Sequence, residues 1–229
     1  MPQENASQEK WTAVDKYFTE QLSLSDPVLD TVLVANAAAG LPAIDVAPNQ
    51  GKLLQLFAQM VGANKILEIG TLGGYSTIWL ARALPPDGEL ITLEFSRKHA
   101  DVARENISRA GLSGKVDLRV GAALDSLPLI EKENIAPFDL IFIDADKPNN
   151  SEYLKWAMKL SRKGTLIICD NVVRDGAVIE VDSIDTSVQG ARKLFEALRS
   201  EPRLAATALQ TVGSKGYDGF AMAIVTADR

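Results

Sequence analysis

Lys65-Ile66-Leu67-Glu68-Ile69-Gly70-Thr71-Leu72-Gly73-Gly74-Tyr75-Ser76 is the stretch whose reading decides the fold. Its first five residues are a short apolar run rich in β-formers, as a parallel strand buried on both faces requires. Three glycines follow within five positions, and Tyr75-Ser76-Thr77-Ile78-Trp79-Leu80 then reads as the start of a helix. A strand, a glycine turn and a helix N-terminus together form a place where backbone comes close to a ligand. The glycine order is not that of a dinucleotide site, because Gly70-Thr71-Leu72-Gly73-Gly74-Tyr75 lacks the G-x-G-x-x-G pattern. A tight turn without any ligand would use the same residues, so this stretch alone does not decide function.

Working outward, strand and helix patterns alternate, which predicts a parallel, doubly wound sheet. The strands are expected at 65–69, 89–95, 115–120, 138–144 and 165–170. Helices are expected at 75–84, 97–110, 124–134 and 151–160, with Gly111 and Gly164 as stops and Pro85-Pro86-Asp87-Gly88 as a turn. A loop over 172–187 precedes a helix at 188–200. Two apolar strands at 205–212 and 220–225 close the chain, joined by Gly213-Ser214-Lys215-Gly216-Tyr217-Asp218-Gly219. That connector is too short for a crossover helix and predicts an antiparallel pair. Before the first strand, a helix is expected from Trp11 to Leu22 after a frayed tail. A second opens at Ser25-Asp26-Pro27, and a third at Pro48 that Gly62 stops. With no repeat, low-complexity tract or linker, 1–229 reads as one domain, with a helical segment at 1–47 and a Rossmann-like core at 48–229.

Composition narrows the function. At 46% hydrophobic over 229 residues, the chain can bury a sizeable core. A net charge of −6 with scattered Lys and Arg argues against a nucleic-acid surface. No apolar run reaches the roughly 18 residues of a membrane helix. The polar N-terminus lacks the apolar centre of a signal peptide, and the lone Cys169 fits a reducing cytoplasm. One Cys and one His leave almost no room for a His/Cys zinc site. A Ser–His hydrolase would have to use His99, which stands in a charged helical stretch and reads as a solvated surface residue. Trp11, Trp79 and Trp156 read as packing, and Cys169 as an inert buried thiol.

Two groups of polar residues carry chemistry. Glu94 ends the second strand, about 24 residues after Gly70. Ligands of open α/β sheets sit beyond the carboxyl ends of the strands, so a carboxylate there can accept from ribose hydroxyls. Phe142-Ile143-Asp144-Ala145-Asp146-Lys147 and Ile168-Cys169-Asp170-Asn171 each follow a strongly apolar strand. Asp144, Asp170 and Asn171 are therefore expected side by side as a hard, oxygen-only site for Mg²⁺, Mn²⁺ or Ca²⁺. Without a cation, paired aspartates would repel and one would hold a proton.

F-I-D-A-D-K on the fourth strand, D-N-V after the fifth and E-I-G-T-L-G-G-Y-S on the first together resemble the cation-dependent O-methyltransferases. Catechol and caffeoyl-CoA O-methyltransferases belong to that group. The resemblance runs from about Ala47 to the C-terminus. It implies a class I methyltransferase sheet of seven mostly parallel strands, order 3-2-1-4-5-7-6, with the last pair antiparallel. It implies that S-adenosylmethionine is held by Val46, Glu68, Gly70, Gly74, Ser76, Glu94, Ala122, Ala123 and Asp144. It further implies a divalent cation, Mg²⁺ first, on Asp144, Asp170 and Asn171, with Lys147 and Asp144 as the catalytic pair. Lys147 either takes the hydroxyl proton or orients the oxygen. Gly51 matches the family's glycine ahead of the first strand, whereas Asn150 stands where many relatives carry tyrosine.

The expected reaction is methylation of a small aromatic with two adjacent hydroxyls. A homodimer with the N-terminal helices near its interface is also implied. An NAD-type dehydrogenase and a non-catalytic dimeric binding module are the other readings. Loops at 36–49 and 172–187 are expected to cover the site. The second carries Arg174, Asp175, Glu180, Asp182 and Asp185, and this acidic balance favours a small free phenol over a CoA ester.

Overall fold

The computed structural model describes residues 2–228, with side chains from residue 6 onward. Its centre is a seven-stranded sheet of order β3-β2-β1-β4-β5-β7-β6. The strands are β1 (Lys65–Ile69), β2 (Glu89–Glu94), β3 (Val116–Val120), β4 (Phe138–Ile143), β5 (Ser161–Asp170), β6 (Leu204–Gly213) and β7 (Gly216–Val225). The first five run parallel; β7 pairs antiparallel with both β5 and β6. This is the sheet that the alternating pattern predicts.

Helices cover both faces. On one side α2 (Pro27–Ala38), α3 (Pro48–Met60), α4 (Tyr75–Ala81) and α5 (Arg97–Arg109) bury Leu29, Val32, Leu54, Ile78, Ala103 and Ile107 against Ile66, Leu90, Leu140 and Phe142. On the other, α6 (Ala123–Lys132), α7 (Asn150–Lys159) and α8 (Thr186–Ser200) pack Leu127, Tyr153, Leu154 and Leu194 against Leu67, Ile91, Ile141 and Ile167. Neighbouring residues of β1 and β4 thus point into opposite layers, and both layers are dry. That is why these strands read as unbroken apolar runs. The entry to α2 follows the local chemistry: the Asp26 carboxylate accepts from the Val28 and Leu29 amides at 2.9 and 3.0 Å, with Pro27 in the first turn.

Four boundaries differ most from expectation. Helix α1 (Pro2–Gln21) starts well before Trp11, and its polar residues Gln8 and Asp15 are tied to the β6–β7 turn. Helix α4 stops at Ala81 because Ala83 and Leu84 turn back on Leu80 and Ala81 in a tighter, three-residue spacing. Gly164 does not end α7; it sits at φ +94° inside β5, where Arg162, Lys163 and Gly164 bulge between two registers with β4. The final connector shrinks to Ser214-Lys215, since β7 already begins at Gly216.

Candidate active site

The carboxyl ends of β1, β2, β4 and β5 open into one cavity of about 1350 Å³. Strand order reverses between β1 and β4, and there the two strand ends meet most closely. The Asp144 amide donates to Ile69 O at 2.8 Å, and a Cβ on Gly70 would stand 2.1 Å from Asp144 O. Gly70 also has φ +102°, so the turn accepts no other residue without displacing the β4 end.

Ten of the predicted site residues line this cavity: Val46, Gly70, Ser76, Glu94, Ala122, Ala123, Asp144, Lys147, Asp170 and Asn171. Glu68 and Gly74 do not. Gly74 is the N-cap of α4 at φ +85°, facing Ala103 and Ile107. Glu68 is fully buried behind the wall, where its carboxylate accepts from Ser76 Oγ at 2.6 Å, Thr77 Oγ1 at 2.5 Å and Thr92 Oγ1 at 2.7 Å. Burial pushes its carboxyl up to about 7 against those three donors. Glu68 therefore shapes the turn from inside and sets the orientation of Ser76.

At the β2 end, Glu94 is held by main chain. Its Oε2 accepts from Thr71 N at 3.2 Å and Leu72 N at 2.8 Å, and Oε1 from Ser96 N at 2.8 Å. His99 is not on open surface: its Nδ1 lies 3.3 Å from Glu94 Oε1, and the ring lines the cavity. Beside it Phe95 is 80% exposed and also faces the cavity, an apolar ring open to a ligand. Helical periodicity concealed His99, since charged neighbours on both sides suggested a solvated face.

At the β4 and β5 ends, Lys147 Nζ donates to Asp144 Oδ1 at 2.9 Å, and its side chain is only 9% exposed. The turn Lys147–Asn149 rests directly on α8, because a Cβ on Gly190 would lie 2.0 Å from Lys147 O. Asp146 is turned aside, accepting from Tyr153 Oη at 2.5 Å and Asn149 Nδ2 at 2.6 Å. Asp170 is 5% exposed; burial, reinforced by the negative charge of Asp144, pushes its carboxyl up to about 7. Lys147 is the one cation paired at this edge, set against two carboxylates, and the atoms that Asp144, Asp170 and Asn171 can offer a ligand there are oxygens. Among the described residues no three His, Cys, Asp or Glu side chains cluster to hold a metal ion. A cation here would thus need the Asn171 amide oxygen beside the two aspartates, and a hard divalent ion fits such a set. Gln50 was not foreseen: its Nε2 donates to Asp170 Oδ2 at 2.6 Å.

The covering loops are only partly as expected. Ala43, Ile44, Asp45, Val46, Ala47 and Asn49 form one wall. Of the five charged residues in 172–187, only Arg174 and Asp175 line the cavity. Asp185 instead caps α8 by accepting from Ser187 N at 2.7 Å. The acidic balance of that loop therefore does not describe the cavity lining.

A family model described as O-methyltransferase matches residues 20–222. The chain belongs to the O-methyltransferase family. It is 54% identical over 213 residues to a catechol O-methyltransferase of Niastella koreensis, covering 93% of this chain and 96% of that protein. A catechol O-methyltransferase of Mycobacterium tuberculosis is 49% identical over 212 residues, covering 93% and 94%. Among solved structures, the O-methyltransferase from Bacillus cereus in complex with SAH superposes with a TM-score of 0.94 at 62% identity, covering 96% of this chain and all of that one. As an O-methyltransferase with the class I sheet, the chain is an enzyme, and the dehydrogenase reading falls. No described helix is long and apolar enough to cross a membrane.

Proposed function

We propose that this O-methyltransferase transfers the methyl group of S-adenosylmethionine to one hydroxyl of a catechol-like aromatic, with a divalent cation bound at the β4 and β5 ends. The observation that carries this reading is the convergence of Asp144, Lys147, Asp170 and Asn171 on the same cavity as Glu94 and the glycine turn. The SAH complex of the Bacillus cereus relative and the catechol names of two others support it.

In this reading Glu94 accepts from the ribose, Phe95 flanks the base, Ala122 and Ala123 border it, and Ser76 stands at the methionine end with Val46 above. Asp144, Asp170 and Asn171 would hold a dication, most simply Mg²⁺, whose charge would favour an acceptor with two adjacent hydroxyls and lower the pKa of one. Lys147 serves that same oxygen. Its pairing with Asp144 at 2.9 Å favours orienting and charge stabilisation over proton removal. The acidified hydroxyl gives its proton to cavity water; its oxygen then bonds to the methyl carbon as the carbon–sulfur bond breaks, the electrons of that bond passing to sulfur. Alignment of oxygen, carbon and sulfur is what the rigid strand ends contribute.

Apolar side chains left open on α1 and on the edge strand β6, including Tyr17, Phe18 and Leu209, support a homodimer. The buried thiol of Cys169 is consistent with a cytoplasmic setting. Turnover of catechol against phenol, with Mg²⁺ and with excess EDTA, tests the reading. It requires that phenol react at least ~100-fold more slowly and that EDTA stop catechol methylation. Equal rates for the two acceptors would sink the chelation argument.

A further inference from the structure

Asp15 is out of place on α1. The helix is polar and largely open to solvent, yet Asp15 is only 7% exposed. A carboxylate leaves water only where donors meet it. Here Oδ1 accepts from Asn49 Nδ2 at 2.9 Å and Oδ2 from the Ser214 amide at 2.7 Å. A Cβ on Gly213 would lie 2.5 Å from Oδ2, so the β6–β7 turn closes directly onto this carboxylate. Gln8, two helical turns earlier, donates to Gly213 O at 3.0 Å and secures the same turn.

The other end of the connection is the first turn of α3. Asn49, held by Asp15, is followed by Gln50, whose Nε2 reaches Asp170 Oδ2 at 2.6 Å. Asp170 Oδ1 meanwhile accepts from the Asn171 amide at 2.9 Å. Each carboxylate oxygen thus has one donor fixed from the protein side, leaving the remaining lone pairs for the cavity. Partners of this kind fix the orientation of a ligating carboxylate. Asp15, Asn49, Gln50 and Asp170 all line the cavity, in an unbroken sequence from the N-terminal helix to the proposed cation corner.

We propose that Gln50 is a positioning residue for Asp170, and that Asp15, through Asn49, sets where Gln50 stands. The N-terminal helix then tunes cation affinity and acceptor binding without touching either ligand. This rests on the cation-dependent reading above.

The test is titration of the full chain with Mn²⁺ followed by electron paramagnetic resonance, beside calorimetry of SAH binding and catechol kinetics. Gln50→Ala is expected to weaken Mn²⁺ by about 10-fold or more, with the Kd for SAH within about twofold of the parent. Asp15→Ala and Asn49→Ala should weaken Mn²⁺ less, raise the catechol KM more than they lower kcat, and show a double variant no worse than either single one. If Asp15→Ala fails to fold, Asn49→Ala tests the same link. Unchanged Mn²⁺ affinity in Gln50→Ala overturns the inference. So does a parallel fall in SAH affinity, which would mark general loosening. A parent chain that binds no Mn²⁺ would instead remove the cation reading, and this inference with it.

Discussion

Lys147 and Asp144 face each other at 2.9 Å across the first turn after β4, with the lysine almost wholly buried. An ammonium so placed has a fixed direction. Lys147→Ala is expected to lower kcat by roughly 10²–10⁴-fold, the usual worth of a positioned polar group at the reacting atom. SAH affinity should stay within about twofold. Lys147→Arg keeps a donor but cannot act as a base. If orientation is the role, it should retain at least ~10-fold more activity than Lys147→Ala; equal loss in both points to a base.

Gly70 carries the junction between the glycine turn and the end of β4. Its φ of +102° and the 2.1 Å approach of a Cβ to Asp144 O leave nowhere for a methyl group. Gly70→Ala is expected to cost about 3 kcal/mol or more in urea unfolding, from strain and displacement together. A loss under ~1 kcal/mol would show that the β1 and β4 ends give way more easily than their packing implies.

Glu68 makes stability depend on pH in a particular direction. Its carboxyl moves from an ordinary 4.5 to about 7 in the folded chain, mainly through burial. The folded state therefore holds the proton more tightly. Its contribution is fully present below about 4.5 and is lost as pH rises through about 7, amounting to roughly 3 kcal/mol at most. Glu68→Gln has no proton to lose. Relative to the parent, it should gain stability between pH 5 and pH 8, read as a difference of urea unfolding free energies at each pH. A constant difference would mean that Ser76, Thr77 and Thr92 hold the carboxylate ionised throughout.

Asp26 tests the helical segment ahead of the sheet. It caps α2 and also pairs with Arg82 Nη1 at 2.6 Å, joining α2 to the end of α4. Asp26→Ala is expected to lose about 1–2 kcal/mol, dominated by the cap, because the ion pair is partly solvated. A loss below ~0.5 kcal/mol would show that α2 is held by its apolar face alone.

Most of the sheet was legible because parallel strands buried on both faces have a distinctive composition, and glycine turns and proline breaks punctuate them. Asp144, Asp170 and Asn171 were legible because they stand at the very ends of such strands, and Lys147 because it follows Asp144 by three residues. What escaped depends on contacts between distant segments. Gln50 is one polar residue among many on α3, and only the fold puts it against Asp170. Asp15 carries no sequence signal of its own, and His99 reads as part of a charged helix face. Glu68 and Gly74 stand in the glycine-turn motif but on its inner side: Glu68 because alternate residues of a strand point to opposite faces, Gly74 because it caps α4 against α5. In the 172–187 loop only Arg174 and Asp175 of the five charged residues line the cavity, because charge counted along a segment does not say which way each side chain turns.

The most direct measurement is calorimetric titration of catechol into the enzyme saturated with SAH, once with Mg²⁺ and once with excess EDTA. The account predicts binding with Mg²⁺ and a loss of at least ~10-fold in affinity without it, because Asp144, Asp170 and Asn171 would hold the acceptor only through a cation. Equal affinity under both conditions would contradict it, leaving a methyltransferase whose Asp144 and Asp170 serve some other purpose.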